Sequence, residues 1–215
     1  MYHLHPDPVL NDLFSSRPYQ GANPMDAKYV FIGLDANYGK DIQQSGIFTE
    51  LVEYLKDGVS FWNKYSVHHP FLLPAYTGDG KFYHKSFSKI GFQKEQAEII
   101  SFIELLHLPT FGRSKLKPEE LKHSHMCYLN RIILEGNAEY IFVPTNVGNL
   151  MRATGEFSWL PGKPKDTGDA LKLWYGKNNK KVLWHYHFSV YGKFQELKTK
   201  QRKEIGALIQ QYNSE

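Results

Sequence analysis

The chain has one cysteine in 215 residues, Cys127. That excludes an internal disulfide, a four-cysteine zinc site and an iron–sulfur cluster. A reducing, intracellular setting is expected. No run approaches the roughly 18 to 20 apolar residues that span a bilayer, so a soluble protein without a membrane partner is expected. The opening MYHLHPDPVL lacks the charged-then-apolar layout of a secretory signal. Internal repeats and low-complexity tracts are missing. So are a P-loop, a G-x-G-x-x-G fingerprint, a G-x-S-x-G serine elbow and an H-E-x-x-H zinc motif.

What is present is apolar and aromatic. Hydrophobic residues make up 41% of the chain and aromatics 15%. That is ample for a core, with rings to spare for stacking or wedging outside it. The net charge of +4 is uneven: residues 161–203 hold 11 Lys/Arg against 3 Asp/Glu, and the rest hold 15 against 19. Concentrated positive charge suits a polyanion such as nucleic acid. From charge alone, a solvated helix and loop surface reads equally well.

Four short, nearly all-apolar runs at 28–34, 99–106, 138–143 and 181–185 predict strands. Helical stretches follow them. One starts at Phe48 and puts Phe48, Leu51, Val52 and Leu55 on one face. A second, opened by Pro118 and two acids, runs to about residue 134. A short one covers 149–154, and a terminal one 194–212. The aromatic, Pro- and Gly-broken segment 59–90 reads as an insertion or long functional loop. RSKLK, 113–117, reads as a basic loop, and 155–179 as a loop rich in Gly, Pro and Lys. Apolar strands alternating with helices predict an α/β fold. The expected form is a three-layer α/β/α sandwich with a central, mainly parallel four-stranded sheet, in one domain over 1–215. Such sheets bind ligands outside the carboxyl ends of their strands. Asp35, Glu104 to His107, Thr145-Asn146 and His187 all fall there.

An Asp and a His at two strand ends can act together. The carboxylate can orient a water or stabilise a developing cation, while the histidine hydrogen-bonds a leaving group that gains negative charge. The blander readings are a turn or cap for Asp35, loop packing for His187, core packing for Phe48 and an ordinary surface ring for Tyr191. The pairs His68-His69, His123/His125 and His185/His187 match no recognised metal spacing, and 123 and 125 do not share a helix face. Neither a metal nor a cofactor is expected, although a metal-dependent hydrolase stays open.

Read in order, GLDANYG (33–39), FIELLHLPT (102–110), YIFVPTNVGNLM (140–151) and HFSVYG (187–192) resemble the successive motifs of the uracil-DNA glycosylase superfamily. The resemblance spans about residues 28–195. It implies that Asp35 positions the attacking water and stabilises the cation, and that His187 hydrogen-bonds the departing base. It also implies a base-stacking Phe48, a phosphate contact from Ser189 and a wedging Tyr191. Lys193 would join the DNA contact through the basic flank. Asn37 stands where the uracil-specific branch has a methyl-excluding tyrosine. Glu104 stands near the position of a base-reading asparagine; as a carboxylate it would accept but not donate. The expectation is a monomeric, monofunctional DNA glycosylase in the nucleoid or nucleus, removing uracil or a related deaminated or mismatched base. Two alternatives stay open: a catalytically inactive nucleic-acid-binding module of the same fold, and a hydrolase of small molecules or nucleosides.

Overall fold

The structure, a computed structural model, describes residues 3–112 and 115–212; of the RSKLK loop, Arg113 and Ser114 lie outside the described residues. In chain order the elements are β1 (His3–Leu4), α1 (Pro8–Ser16), β2 (Tyr19–Gly21), β3 (Tyr29–Gly33), β4 (Asn37–Tyr38), α2 (Phe48–Lys56), α3 (Gly58–Tyr65), α4 (Lys81–Ser88) and β5 (Ile100–Glu104). There follow β6 (Thr110–Phe111), α5 (His123–Glu135), β7 (Tyr140–Pro144), α6 (Thr145–Ala153), β8 (Lys172–Lys177), β9 (Lys180–His185) and α7 (Gln195–Tyr212).

The four expected strands form and are mutually parallel: β3 pairs with β5 on one side and β7 on the other, and β7 pairs with β9. The sheet is wider than expected, however. Among the described residues it has six strands, ordered β2-β5-β3-β7-β9-β8, because β2 and β8 add antiparallel edges. The two edges escape a search for apolar runs for a physical reason. Each borders only one neighbour, so polar and glycine residues such as Gln20, Gly21, Gly176 and Lys177 are tolerated there.

Side chains alternate across the sheet with period two, and helices cover both faces. Val30, Ile32, Ile103, Ile141, Val143, Val182 and Trp184 face a cluster with Met126, Leu129, Ile132 and Ile133 of α5 and Val147 and Met151 of α6. Tyr29, Phe31, Ile100, Phe142 and Leu183 face Trp62 of α3, Phe87 of α4, and Ile205 and Ile209 of α7. On this second face the parallel register sets Phe31 beside both Phe102 and Phe142. The three rings stack at centroid spacings of 5.6 and 4.6 Å. Phe87 meets Phe31 edge-on at 5.0 Å. Much of the aromatic surplus is therefore a ring ladder inside the protein.

The segment 59–90 is not an open loop. It holds most of α3 and all of α4, which lie on the sheet in the crossover from β3 to β5. Its periodicity is hard to see because each helix has only eight residues, about two turns. Pro118 likewise opens only a separate 3₁₀ turn, Pro118–Glu120, and α5 starts at His123.

If α4 belongs to the core, Phe87→Ala, which empties a site 1% exposed, should cost about 3–5 kcal/mol. A ring on a dispensable loop would cost less than about 0.5 kcal/mol. Urea unfolding midpoints of the two proteins distinguish these outcomes.

Candidate functional site

Parallel pairing brings the carboxyl ends of β3, β5, β7 and β9 to one edge. Beyond β3 the ladder continues: Leu105 N–H donates to Gly33 C=O and Leu106 N–H to Leu34 C=O, both at 3.1 Å, and Thr110 N–H donates to Ala36 C=O at 2.9 Å. The same segment then continues into a small sheet ordered β1-β6-β4, where Asn37 and Tyr38 pair with Thr110 and Phe111. The loop carrying Asp35 is thus held along its length by residues 105–111, and a cavity of about 790 Å³ opens beside it. Of the residues expected at the site, Asp35, Asn37, Glu104, His187, Ser189 and Tyr191 line this cavity.

The two carboxyls have different environments. Thr110 Oγ1 donates to Asp35 Oδ2 at 2.6 Å, and Asn37 Nδ2 donates to the same oxygen at 3.2 Å. Burial raises the Asp35 pKa above the ordinary value of 3.8, and these two donors work against that rise. Asn37 also donates to Gly112 C=O at 2.6 Å, so its amide is engaged in holding the loop. Among the described residues, no side chain donates a hydrogen bond to the Glu104 carboxyl. Its carboxyl lies over Gly33, where a Cβ would stand 1.9 Å from Oε2; only glycine permits this approach. Burial, reinforced by the neighbouring Asp35 charge, pushes Glu104 up to about 8. At neutral pH Asp35 is the anion of the pair and Glu104 holds a proton. Glu104 then both donates and accepts, which corrects the acceptor-only expectation.

His187 is a neutral imidazole. Burial, helped by the charge of Lys198, lowers its pKa to about 4. Ser189 N–H can only donate, and it points at His187 Nδ1 from 3.4 Å; the Ser189 hydroxyl lies 2.6 Å from the same nitrogen. Nδ1 is therefore the acceptor, and the proton sits on Nε2. Ser189 holds the histidine's tautomer rather than offering a free hydroxyl. Tyr83, which also lines the cavity, packs its ring 4.9 Å from that of His187.

The His187 loop is clamped from beneath by α7. Lys198, 1% exposed, donates to Phe188 C=O at 3.0 Å and to Val190 C=O. Gln201, also buried, accepts from Tyr186 N–H at 2.9 Å. Arg202 is turned inward to Ser86, 3.2 Å from its hydroxyl. Two cations of the basic segment are thus internal braces, not surface charge. Two more are paired at the surface, Lys172 with Asp166 at 3.0 Å and Lys200 with Glu196 at 2.9 Å.

Phe48 and Lys193 do not line the cavity. Phe48 heads α2 and packs against the cluster around Leu51, Leu55 and Phe61. Lys193 is exposed, its ammonium 5.1 Å from the centre of the Phe194 ring. The aromatic residues lining the cavity include Tyr38, Tyr54, Phe71, Phe82, Tyr83 and Phe102 instead. Tyr191, 81% exposed, and Phe82, 54% exposed, stand where the cavity meets solvent. Sequence reasoning did not assign Tyr83, Phe82, Thr110 or Lys198. Thr110 closes a motif that sequence reading did single out; the others carry no spacing signal.

His68, His69 and His84 also line the cavity. His68 Nε2 lies 3.2 Å from His84 Nδ1, and His69 and His84 stack at 3.6 Å. Burial lowers all three, His68 to about 3. They furnish polar but uncharged wall. No Lys or Arg is among the described residues lining the cavity.

The arrangement offers an anion, a protonated carboxyl and a neutral N–H donor lining one cavity. That set can stabilise positive charge on one part of a substrate and developing negative charge on another. No protein-family model matches the chain, and no curated protein matches it.

Two measurements check the electrostatics. Glu104 keeps its proton in the fold up to about pH 8, whereas an ordinary glutamate releases it near 4.5. Between these values the unfolded chain binds fewer protons, so the fold loses stability as pH rises. Glu104→Gln removes that loss. Its unfolding midpoint should gain on the wild type from about pH 5 to about pH 8 and stay level above; a constant difference would refute the assignment. Lys198→Met should raise the His187 pKa from about 4, followed by NMR titration of the ring.

Proposed function

We propose that the protein is a monofunctional DNA glycosylase that hydrolyses the N-glycosidic bond of uracil or a related deaminated or mismatched base. The observation that carries this reading is the convergence of Asp35, Glu104 and His187 on one cavity, each in a different protonation role. At about 790 Å³ the cavity lies within the roughly 300–1,000 Å³ range of ligand pockets and is large enough for an extruded nucleotide. The order of the motifs along the chain adds the resemblance to the glycosylase superfamily.

In this mechanism the extruded base enters the cavity against the rings of Tyr83 and Phe102. As the bond between the sugar carbon and the base nitrogen breaks, the bonding pair leaves with the base. His187 Nε2–H donates a hydrogen bond to the base carbonyl oxygen that takes up this charge. The Asp35 carboxylate faces the cationic sugar, orients a water towards its carbon and accepts that water's proton. Protonated Glu104 offers one donor and one acceptor, the complement of a base edge with a carbonyl beside an N–H. Uracil and hypoxanthine present that edge; the same carboxyl also pairs with the ring nitrogen and amino group of cytosine or adenine, so Glu104 alone does not select the base. Tyr191 stands where it could fill the gap that the base leaves, offsetting the few kcal/mol that extrusion costs. DNA is the partner and the acting species is the monomer.

A hydrolase of free nucleosides is the second reading. It is favoured by a cavity lining without Lys or Arg among the described residues and by the internal roles of Lys198 and Arg202, which leave fewer charges for a phosphate backbone.

The test uses single- and double-stranded oligonucleotides carrying uracil, hypoxanthine, xanthine or a G·T mismatch, incubated with the protein in EDTA and then treated with alkali. Strand cleavage at uracil or hypoxanthine is expected, reduced about 10²–10⁴-fold in Asp35→Asn. Base release from free nucleosides but not from DNA would establish the second reading. Salt-sensitive DNA binding without base release would show an inactive binding module instead.

A further inference from the structure

The first turn of α5 carries His123 and Cys127, four residues apart and so on one helical face. Glu156 approaches them from the turn that follows α6. We infer that His123, Cys127 and Glu156 form a binding site for a thiophilic divalent cation, zinc by preference, which clips α5 to that turn. The site lies apart from the cavity, and none of its three residues lines it.

The geometry is that of a coordination sphere. A tetrahedral zinc, with Zn–S about 2.3 Å and Zn–N or Zn–O about 2.0–2.2 Å, holds its sulfur about 3.5–3.7 Å from each nitrogen or oxygen ligand. Cys127 Sγ lies 3.6 Å from His123 Nε2 and 3.5 Å from Glu156 Oε2. The other ring nitrogen, His123 Nδ1, lies 3.0 Å from the second carboxylate oxygen of Glu156, a contact outside the coordination sphere when Nε2 is the ligand. One donor atom from each residue falls within 4.8 Å of the other two. Thiolate, imidazole and carboxylate together select zinc and its close relatives over the hard, oxygen-seeking Mg²⁺ and Ca²⁺.

The supports are built in. Gly155, at φ +84°, turns the chain so that Glu156 faces α5. Phe157, fully buried in the core, anchors the next residue, and Trp159 Nε1 donates to Asn130 Oδ1 of α5 at 2.7 Å. The carboxylate is therefore delivered by a fixed turn, at little cost in ordering. Three protein ligands leave a fourth position for water, since His123 and Cys127 are exposed. Binding replaces the thiol proton with the metal and releases that proton to solvent. The clip also has a path to the cavity: His125, between the two helical ligands, hydrogen-bonds Glu104 C=O at 2.8 Å.

The experiment is a Co²⁺ titration of the full chain after treatment with EDTA and desalting, read by absorbance. One equivalent should produce a thiolate-to-cobalt band in the near ultraviolet and the visible bands of a tetrahedral ion, and Zn²⁺ should displace it. Cys127→Ser should abolish the ultraviolet band. His123→Ala and Glu156→Gln should each weaken cobalt binding by more than the roughly 10- to 100-fold typical of losing an outer partner. Zn²⁺ should raise the melting temperature of the wild type but of none of the variants. Circular dichroism confirms that each variant is folded. No band would overturn the proposal. So would a band that survives both His123→Ala and Glu156→Gln, which would mean an adventitious ion on the thiol only.

Discussion

Pairing of Tyr29–Gly33 in parallel with Ile100–Glu104 on one side and Tyr140–Pro144 on the other decides where every group of the cleft can stand. A parallel ladder sends all its strands out at the same edge, so the residues that follow them share one space. It also sets Gly33 opposite Glu104. That single register pair lets a carboxyl lie down on the backbone beside Asp35. A slip of one residue would turn Glu104 to the other face and replace the pair with an ordinary apolar contact.

The low-dielectric setting that follows does the chemical sorting. Two carboxyls near each other in poor solvent cannot both ionise, and the hydrogen bonds decide which does. Of the two carboxyls, Thr110 and Asn37 donate to Asp35, so the negative charge settles there and the proton on Glu104. His187 is driven neutral by the same burial, and its tautomer is set by Ser189. An anion, an acid and a neutral donor thus arise from three residues, with no Lys or Arg among the described residues of the cavity wall. The neutral histidine cluster at 68, 69 and 84 extends that wall without disturbing the charge balance.

Part of the basic C-terminal segment is internal: Lys198 and Arg202 are buried. Four carbons of aliphatic stem let Lys198 run through the interior and end on two carbonyls of the His187 loop. Arg202 and Gln201 continue the same brace. The sequence shows a run of charge. Only the fold shows that part of it points inward, because helix α7 packs one of its faces on the sheet.

The sequence by itself determined the parallel core. Its four strands are short apolar runs, and burial on both faces requires that pattern, so their identity and their carboxyl ends could be read locally. Asp35, Glu104 and His187 were legible for that reason: each sits where an apolar run gives way to polar residues. What the tertiary structure decided rests on contacts between distant segments. The edge strands β2 and β8, the core role of 59–90 and the engagement of Asn37 and Ser189 are of this kind. So is the passage of the aromatic wall from Phe48 to Tyr83 and Phe102. So are the unequal protonation of Asp35 and Glu104 and the meeting of Cys127 with Glu156. A hydrogen bond or a desolvation depends on which surfaces meet, and residue spacing along a chain carries no record of that.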